Sequence, residues 1–550
     1  MSPIIECVPN FSEGRNSEII RQITDQIESI AGVRLLNVDP GKATNRTVVT
    51  FVGSPEAVVE AAFLAIRKAG ELIDMRTHKG EHPRMGATDV CPLIPIAGIS
   101  MEETAAWARR LAERVGAELE IPVYLYEAAQ PDNRRSNLSV IRAGEYEGFF
   151  KKIKLPEWAP DYGPTEFDNR RGGTVIGARD FLVAYNVNLN TTSTRRANAI
   201  AFDVREAGRT IKEGEKSVAV PGTLKSVKAI GWYIEEYGIA QISMNLTNIR
   251  VTPVHVAFDE VCRAAAERGI RVTGSELVGL IPLQAMLDAG RYFLEKQQRS
   301  TGVSEKELIR IAILSMGLDE LGPFRPEERI IEYQLREAAA DKLVRMPLAD
   351  FADETASESP APGGGSISAY VGALGAALGS MVANLSSHKK GWDDRWKEFG
   401  DWADKGQRHK EELLRLVDAD TRAFNGIMTA FALPKGNDAE RAARTHAIQE
   451  ATRSAIEVPF RVMEIAHASL EVIGAMAATG NPNSVSDAGV GALCARAAVL
   501  GAFLNVRINA AGYDDKTYVG DILERGKKIA DSTISIEKDI LAIVNEKIDG

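Results

Sequence analysis

The chain has 550 residues, 45% of them hydrophobic and 26% charged, with a formal net charge of −10 at pH 7. That length allows several domains, and the composition is ordinary for a soluble globular protein. The acidic balance excludes a general nucleic-acid binder, while a local basic patch for a small anionic ligand stays open.

The four cysteines, Cys7, Cys91, Cys262 and Cys494, lie far apart and form no C-x-x-C pair. Neither a disulfide framework nor a zinc–cysteine site is expected, and a reduced, cytoplasmic setting is. The opening Met1-Ser2-Pro3-Ile4-Ile5-Glu6 has no basic region followed by an apolar core, so no secretory leader is expected.

In chain order, Ile4 to Phe11 reads as a strand and Ser17 to Ile30 as a helix. Val33 to Val38 is a strand ending at the turn Asp39-Pro40-Gly41, and Arg46 to Val52 is another. Pro55 to Ile73 is a helix with Ser54 as its N-cap and Pro55 at its first position. This β-α-β-β-α order predicts an open sheet with helices packed against it. A second unit starts after Gly177-Ala178-Arg179. Phe181 to Leu189 is a strand, Ser193 to Ile211 a helix, Val227 to Leu246 a hairpin broken near Tyr237-Gly238, and Pro253 to Gly269 a helix. A strand, a short polar turn, then proline and a helix occur in both units, which suggests two related α/β subdomains.

Prolines and charges from Leu321 to Glu328 mark a connector, beyond which strand signals nearly vanish. The predicted architecture is multidomain. An α/β (α+β) half is made of subdomains 1–179 and 180–325. A linker spans 326–340, and an all-α helical bundle spans 341–550.

The segment His78-Lys79-Gly80-Glu81-His82-Pro83-Arg84-Met85-Gly86-Ala87-Thr88-Asp89 holds two of only seven histidines. Gly80, Pro83 and Gly86 break regular structure, so it reads as a loop. It is dense in groups that move protons or bind anions, and His82 is a candidate acid/base. A plain solvated polar loop satisfies the same composition. His78 and His82 also have the four-residue spacing of a helical zinc motif. Gly80 and Pro83 disfavour that helix, and Glu81 stands directly before the second histidine rather than after the first. No metal is expected.

Between Glu358 and His388 no residue is charged. The stretch is long enough to span a bilayer, but it is mostly Gly, Ala and Ser, so a buried helix is favoured over membrane insertion. Gly372, Gly375 and Gly379 permit close helix approach. The turn from Ser359 to Ser366 precedes this helix, and its glycines free the first N–H groups to face a ligand. A plain close-packing turn explains them equally well. Asp418 and Asp420 sit two apart in a helical pattern, on different faces, so they have different jobs. Asp420 shares a face with Phe424, and a carboxyl against an apolar pocket would have its pKa raised by desolvation. Two ordinary surface aspartates remain the alternative. Asn481 to Gly491 is another polar turn feeding a helix that Ser486 or Asp487 would cap.

Four segments resemble the formiminotransferase family: Glu6-Cys7-Val8-Pro9-Asn10-Phe11-Ser12-Glu13-Gly14, Asn45-Arg46-Thr47, His78 to Asp89, and Gly172 to Arg179. The tail from about residue 340 is similar to the cyclodeaminase/cyclohydrolase family through Ser359 to Ser366, Asp418 to Phe424 and Ser486 to Gly489. In this order the two resemble the bifunctional formimidoyltransferase-cyclodeaminase family over nearly the whole chain.

The resemblance implies transfer of the formimino group of N-formimino-L-glutamate to N5 of tetrahydrofolate. Cyclisation to 5,10-methenyltetrahydrofolate with release of ammonia would follow, as in histidine breakdown and one-carbon metabolism. It implies tetrahydrofolate as co-substrate, including polyglutamylated forms, no metal, no membrane or nucleic-acid partner, and homo-oligomers described as octamers. It gives His82 the proton transfers of the first step, with Asp39 steadying a cationic amidinium. It makes Gly163-Pro164-Thr165-Glu166-Phe167-Asp168-Asn169-Arg170-Arg171-Gly172 a folate-binding segment. Arg170 and Arg171 are unusual there, and Gly173 stands where alanine is expected. For the second step it points to the Asp418/Asp420 pair, Asp420 first, with Asp487 in reserve, and to folate contact by Gly363, Gly364, Gly365 and Ser366. Two alternatives stay open: fusion to a methenyltetrahydrofolate cyclohydrolase, and a helical domain that serves only as an assembly scaffold.

Overall fold

The computed structural model describes residues 3–42, 44–80, 83–132, 135–213, 216–335, 343–359 and 361–549. Glu81 and His82, and residues 336–340 of the predicted 326–340 linker, therefore lie outside the described residues. The chain divides into two compact units, Met1–Ala285 with Met316–Gln334, and Met286–Ser315 with Leu335–Gly550.

The first unit opens with β1 (Ile4–Cys7), β2 (Asn10–Phe11), α1 (Ser17–Glu28), β3 (Val33–Gly41), β4 (Arg46–Gly53), α2 (Pro55–Leu72), β5 (Thr88–Ala97), α3 (Met101–Glu118) and β6 (Val123–Glu127). Short helices α4 (Leu138–Ile141) and α5 (Glu145–Lys152) precede β7 (Thr174–Ala178). The predicted single strand Ile4 to Phe11 is two strands in one sheet position. Both β1 and β2 pair antiparallel with β4 on one side and with β5 on the other. The break falls at Pro9, which has no N–H for a ladder. β7 then joins β5 and β6 in parallel, and β3 flanks β4.

Asp39 and Pro40, predicted as a turn, continue β3 opposite Val48 and Thr47. β3 has a single strand neighbour, so its proline costs no ladder hydrogen bond on a second side.

Alternation assigns each face of this sheet. Ile5, Cys7, Val49, Phe51, Cys91 and Leu93 pack under α1, α2 and α3, whose apolar positions such as Ile23, Ile27, Val58, Ala62, Ile66 and Ala112 share one core. Burying each Val- or Ile-sized side chain contributes about 1.5–3 kcal/mol. The intervening Glu6, Val8, Val48, Thr50, Val90 and Pro92 are left on the opposite face, where they line a cleft. As predicted, Ser54 caps α2 by accepting from the Ala57 N–H, with Pro55 next to it.

The second sheet comprises β8 (Val183–Leu189), β11 (Val227–Ile234), β12 (Ile239–Leu246) and β13 (Val272–Val278), in the order β11-β12-β8-β13 and wholly antiparallel. Helices α6 (Thr194–Val204) and α7 (Val254–Ala266) belong to the same subdomain, as does the hairpin β9 (Arg209–Glu213) and β10 (Lys216–Val220). The predicted helix Ser193 to Ile211 thus stops at Val204. Arg205 is extended, and Gly208 adopts φ +59° with its Cα so close to the Val220 carbonyl that a Cβ would lie 1.8 Å from it. One face of the sheet carries Asn186, Asn188 and Gln241, nearly or fully buried and hydrogen-bonded to one another and to Glu276.

α8 (Leu283–Lys296) and α9 (Glu305–Met316) lie largely in the second unit, although the sequence reading puts them in the 180–325 subdomain. Two short helices follow, α10 (Pro326–Arg329) and α11 (Ile331–Leu335). Among its described residues the second unit contains helices only: α12 (Leu348–Ala356), α13 (Gly364–Ser387), α14 (Trp396–Phe431), α15 (Asp438–Thr479), α16 (Val485–Ala510) and α17 (Lys516–Asp549). α13 packs antiparallel to α16 through its small residues. A Cβ on Gly375 would lie 2.8 Å from the Gly491 carbonyl, and one on Gly372 would lie 3.1 Å from the Ala498 Cβ. Three described helical stretches, Gly364–Ser387, Asp438–Thr479 and Pro482–Ala510, are long and apolar enough to cross a membrane by length and composition alone. In this unit their buried faces form the bundle core.

Candidate functional sites

The described residues on either side of Glu81 and His82 are held in place. Asn45 donates from Nδ2 to the Lys79 carbonyl (3.0 Å), and the His78 Nε2–H donates to the Asn45 carbonyl (2.8 Å). Arg84 Nε donates to His78 Nδ1 (3.3 Å), so both nitrogens of His78 are engaged and neither is free for a metal. Burial holds the His78 imidazole below the ordinary histidine value. The Asn45 carbonyl opposes this and Arg84 adds to it. Gly80 is required because a Cβ there would lie 2.1 Å from the Thr44 carbonyl oxygen.

On the far side, the Arg84 guanidinium is clamped by Glu147 (2.7 Å) and Glu145 (3.2 Å). Asp89, fully buried, accepts from the Met85 N–H (3.0 Å) and pairs with Arg142. Lys79, Gly80, Arg84 and Glu147 line a hollow of about 520 Å³ beside the loop.

The 163–172 segment forms the wall of a neighbouring hollow of about 750 Å³ through Thr165, Glu166, Phe167 and Asn169, opposite Tyr146, Phe150 and Lys154. The Phe167 ring lies 5.5 Å from Tyr146, 5.6 Å from Phe149 and 6.1 Å from Phe150, an aromatic cluster on which a flat ring could pack. Gly163 and Gly172 both have positive φ and abut the Ile121 and Met85 carbonyls, so they fix the segment's ends.

The two unusual arginines turn away from this hollow. Arg170 donates to the Glu71 carbonyl (2.6 Å) and Arg171 to the Leu119 carbonyl (2.6 Å), which ties the segment to the ends of α2 and α3. Asp168 is buried enough to resist ionising. Hydrogen bonds from the Arg171 side chain and from the Arg170 and Arg171 N–H groups nevertheless hold it below the ordinary carboxylate value. Gly173 has its reason in Phe149, whose ring atoms would lie 2.7 Å from a Cβ.

Between the two sheet faces of the first unit runs a cleft of about 570 Å³ that Asp39, Arg46, Glu6, Tyr126, Arg179 and Lys228 line. Asp39 reaches solvent through the cleft, yet the surrounding protein pushes its carboxyl above the ordinary value. Arg329 and Arg46 pull it down, and Glu276 pushes the same way as burial. Burial brings Arg46 down to about 10. Glu6, 2% exposed, is pushed up to about 7 by burial, against the attraction of Arg179. Sequence reasoning passed over Glu6. Its signal is a single carboxylate at a cleft-facing position of the otherwise apolar strand Ile4-Ile5-Glu6-Cys7.

In the second unit the two aspartates of α14 separate as their spacing implies. Asp418 is buried and accepts from the Leu343 N–H (3.0 Å) and the Val344 N–H (3.4 Å), capping the turn Leu343–Arg345. Asp420 faces the first turn of α13. Its Oδ2 accepts from Ser366 Oγ (3.0 Å), and the Ser366 N–H adds a second bond. Burial pushes the Asp420 carboxyl above its ordinary value, and both Ser366 donors oppose that.

Gly363 is the N-cap of α13 and Gly364 is exposed, while Gly365 and Ser366 are buried against Asp420. A Cβ on Gly365 would stand 2.1 Å from Asp420 Oδ1. Asp487 is not brought to this place. The cap of α16 is Ser484, so Ser486 and Asp487 lie inside its first turn rather than capping it. Asn505 of α16 is the residue beside Gly364. At 1.5 Å per residue that leaves Asp487 about 27 Å away along the helix. Among the described residues no group of three His, Cys, Asp or Glu side chains converges to hold a metal ion.

Residues 4–179 match the formiminotransferase N-terminal subdomain family, 184–336 the formiminotransferase domain, and 347–528 the formiminotransferase-cyclodeaminase family. A formimidoyltransferase-cyclodeaminase of Gallus gallus is 45% identical over 520 residues, which is 94% of each chain. The chain belongs to the formimidoyltransferase-cyclodeaminase family. Each half also has single-function relatives. A glutamate formimidoyltransferase of Thermoplasma acidophilum is 45% identical over 53% of this chain and 92% of its own. A methenyltetrahydrofolate cyclohydrolase of Methylorubrum extorquens is 35% identical over 36% of this chain and 95% of its own.

Proposed function

We propose that this formimidoyltransferase-cyclodeaminase family member carries out both folate reactions. In the first unit, N5 of tetrahydrofolate attacks the amidine carbon of N-formimino-L-glutamate. His82 takes the N5 proton and returns it to the departing glutamate nitrogen, because an imidazole with a pKa of roughly 6.5 serves as base and then acid. Asp39 steadies the amidinium. The 163–172 segment holds the folate, with Phe167 beside its rings and Lys154 offering a cation to its glutamate carboxylates.

In the second unit, N10 attacks the cationic formimino carbon. Asp420 takes the N10 proton and passes it to the amino nitrogen, which leaves as ammonia with the C–N electron pair. The product is cationic 5,10-methenyltetrahydrofolate, so charge and protons balance.

The observation that carries this reading is the half-buried Asp420 carboxyl of α14, which faces the first turn of α13, in a chain that aligns along its length with proteins of both activities. The cyclohydrolase alternative is not favoured: that relative covers only 36% of the chain, against 94% for the bifunctional one. Polyglutamylated folates as substrates, a cytoplasmic setting and a homo-oligomer up to an octamer belong to the same proposal. Exposed Leu374 and Leu385 on α13, and Leu493 and Ile508 on α16, are apolar side chains a second copy would cover.

The test gives the full chain N-formimino-L-glutamate and tetrahydrofolate. Ammonia and 5,10-methenyltetrahydrofolate are expected to form in equal amounts. Hydrolysis of methenyltetrahydrofolate to formyltetrahydrofolate with no ammonia from the formimino substrate would replace deamination by the cyclohydrolase reaction.

A further inference from the structure

The single hydrogen of the Ser366 hydroxyl has two acceptors at equal distance. Ser366 is fully buried, and its Oγ lies 3.0 Å from the Val417 carbonyl oxygen and 3.0 Å from Asp420 Oδ2, with Thr421 Oγ1 at 3.3 Å. Other buried serines of the same unit lack this choice. Ser469 donates to the Ala466 carbonyl and Ser368 to that of Gly364, and neither bonds a carboxylate.

We propose that Ser366 is a positioning residue that keeps Asp420 hydrogen-bonded in both of its charge states, so that one aspartate can accept and then release a proton without moving. The inference rests on the reading of Asp420 as the proton carrier of the second step. With Asp420 ionised, the serine hydrogen points to Oδ2 and the Ser366 N–H supplies a second donor. When Asp420 takes the N10 proton, its own O–H donates to Ser366 Oγ, and the serine hydrogen turns to the Val417 carbonyl. When that proton passes to the leaving nitrogen, the hydroxyl turns back. Rotation of the serine hydroxyl and of the carboxyl O–H, which turns from the substrate to Ser366 and back, separates the two arrangements, and no heavy atom moves. Without it, a half-buried carboxyl would lose a hydrogen bond in one state and favour the other.

Gly365 and the N-cap geometry of Gly363 serve the same end. They bring the α13 backbone close enough for the Ser366 N–H and hydroxyl to reach one carboxylate. Thr421 lies on the adjacent position of α14, within reach of the hydroxyl in either orientation.

The experiment measures ammonia release from supplied 5-formimino-tetrahydrofolate against pH, on the full chain. Ser366→Ala is expected to lower kcat about tenfold or more with KM little changed, the size expected when a hydrogen bond to a charged group is lost. Removing a donor to the ionised form also moves the pH limb belonging to Asp420 upward, by at least about half a unit. A merely structural serine would lower the amount of folded protein and leave that limb in place. Ser366→Cys, close in volume with a weak donor, is expected to move kcat and the limb in the same direction, and it decides the matter if the alanine variant does not fold. A folded variant of either kind with wild-type kcat and an unmoved limb overturns the proposal. Asp420→Asn is run alongside. If that variant still releases ammonia, the underlying reading fails, whatever Ser366 does.

Discussion

Replacing Gly365 by alanine tests the second site through its backbone rather than its chemistry. The new Cβ would meet Asp420 Oδ1 at 2.1 Å and Cγ at 2.5 Å. Ordinary non-bonded contact needs about 3.5 Å, so the carboxyl must withdraw by roughly 1 Å or more. It would then lose the 3.0 Å bond from Ser366 Oγ. A misplacement of about 1 Å in a reacting group costs on the order of a hundredfold in rate. Alanine itself favours a helix over glycine by about 1 kcal/mol, so the helix is not what suffers. The expected result is a folded protein whose ammonia release from supplied 5-formimino-tetrahydrofolate falls about a hundredfold. Formimino transfer, proposed for the first unit, is expected to continue at its normal rate. Both rates can be read on one preparation, with far-ultraviolet circular dichroism as the check on folding. Ammonia release within a factor of about three of the wild type would refute the claim that Asp420 must sit where it does.

Three further outcomes follow from the same geometry. His82→Ala is expected to abolish formimino transfer while cyclisation of supplied 5-formimino-tetrahydrofolate continues; near-normal transfer would move the proton role elsewhere. Asp418→Ala removes the acceptor of the Leu343 and Val344 N–H groups and leaves two orphaned donors, so it is expected to destabilise the helical unit by about 2–4 kcal/mol. Chemical denaturation reads this, and an unchanged midpoint would show that the cap is dispensable. Glu6 has a folded-state pKa raised to about 7. Between an unfolded value of roughly 4.3 and that folded value the native state binds the extra proton, so stability falls as pH rises through this window and then levels off. The loss amounts to about 4 kcal/mol, and Glu6→Gln is expected to flatten that pH dependence. A variant with the wild-type slope would mean that Glu6 is already ionised in the folded protein.

Periodicity carried much of the α/β half, because α2 and α6 bury one apolar face each and begin at recognisable caps, Ser54 and Ser193, and the helical unit showed itself by the loss of strand signals. Periodicity failed where tertiary contacts override local signals. Pro40 reads as a turn in isolation, yet it sits in β3 because an edge strand tolerates a missing donor. Helix α6 ends early because Gly208 must pass under the Val220 carbonyl, a partner twelve residues on that no local window anticipates. At the candidate sites the spacing of Asp418 and Asp420 correctly implied two faces. Which aspartate caps a turn and which meets α13 depended on where residues 343 and 366 come back in space. Asp487 fell away for the same reason, since helix length alone puts it at the other end of the bundle. Arg170 and Arg171 stood out against the family pattern, and their acceptors, the carbonyls of Glu71 and Leu119, are too distant in sequence for a local reading to find.

The two sites solve a shared difficulty by different means. Each proposed proton carrier must meet both of its charge states without collapsing onto a neighbour. In the helical unit a small side chain does this, because Ser366 offers one hydrogen to either of two acceptors. Beside the His82 loop the neighbouring groups are instead taken out of play. His78 spends both nitrogens on Asn45 and Arg84, Arg84 spends its charge on Glu145 and Glu147, and Asp89 spends its own on Arg142. With those groups paired off, the pH profile of the transfer rate is expected to report a single titrating group. A profile requiring two coupled groups would contradict that separation and bring His78 back as a participant.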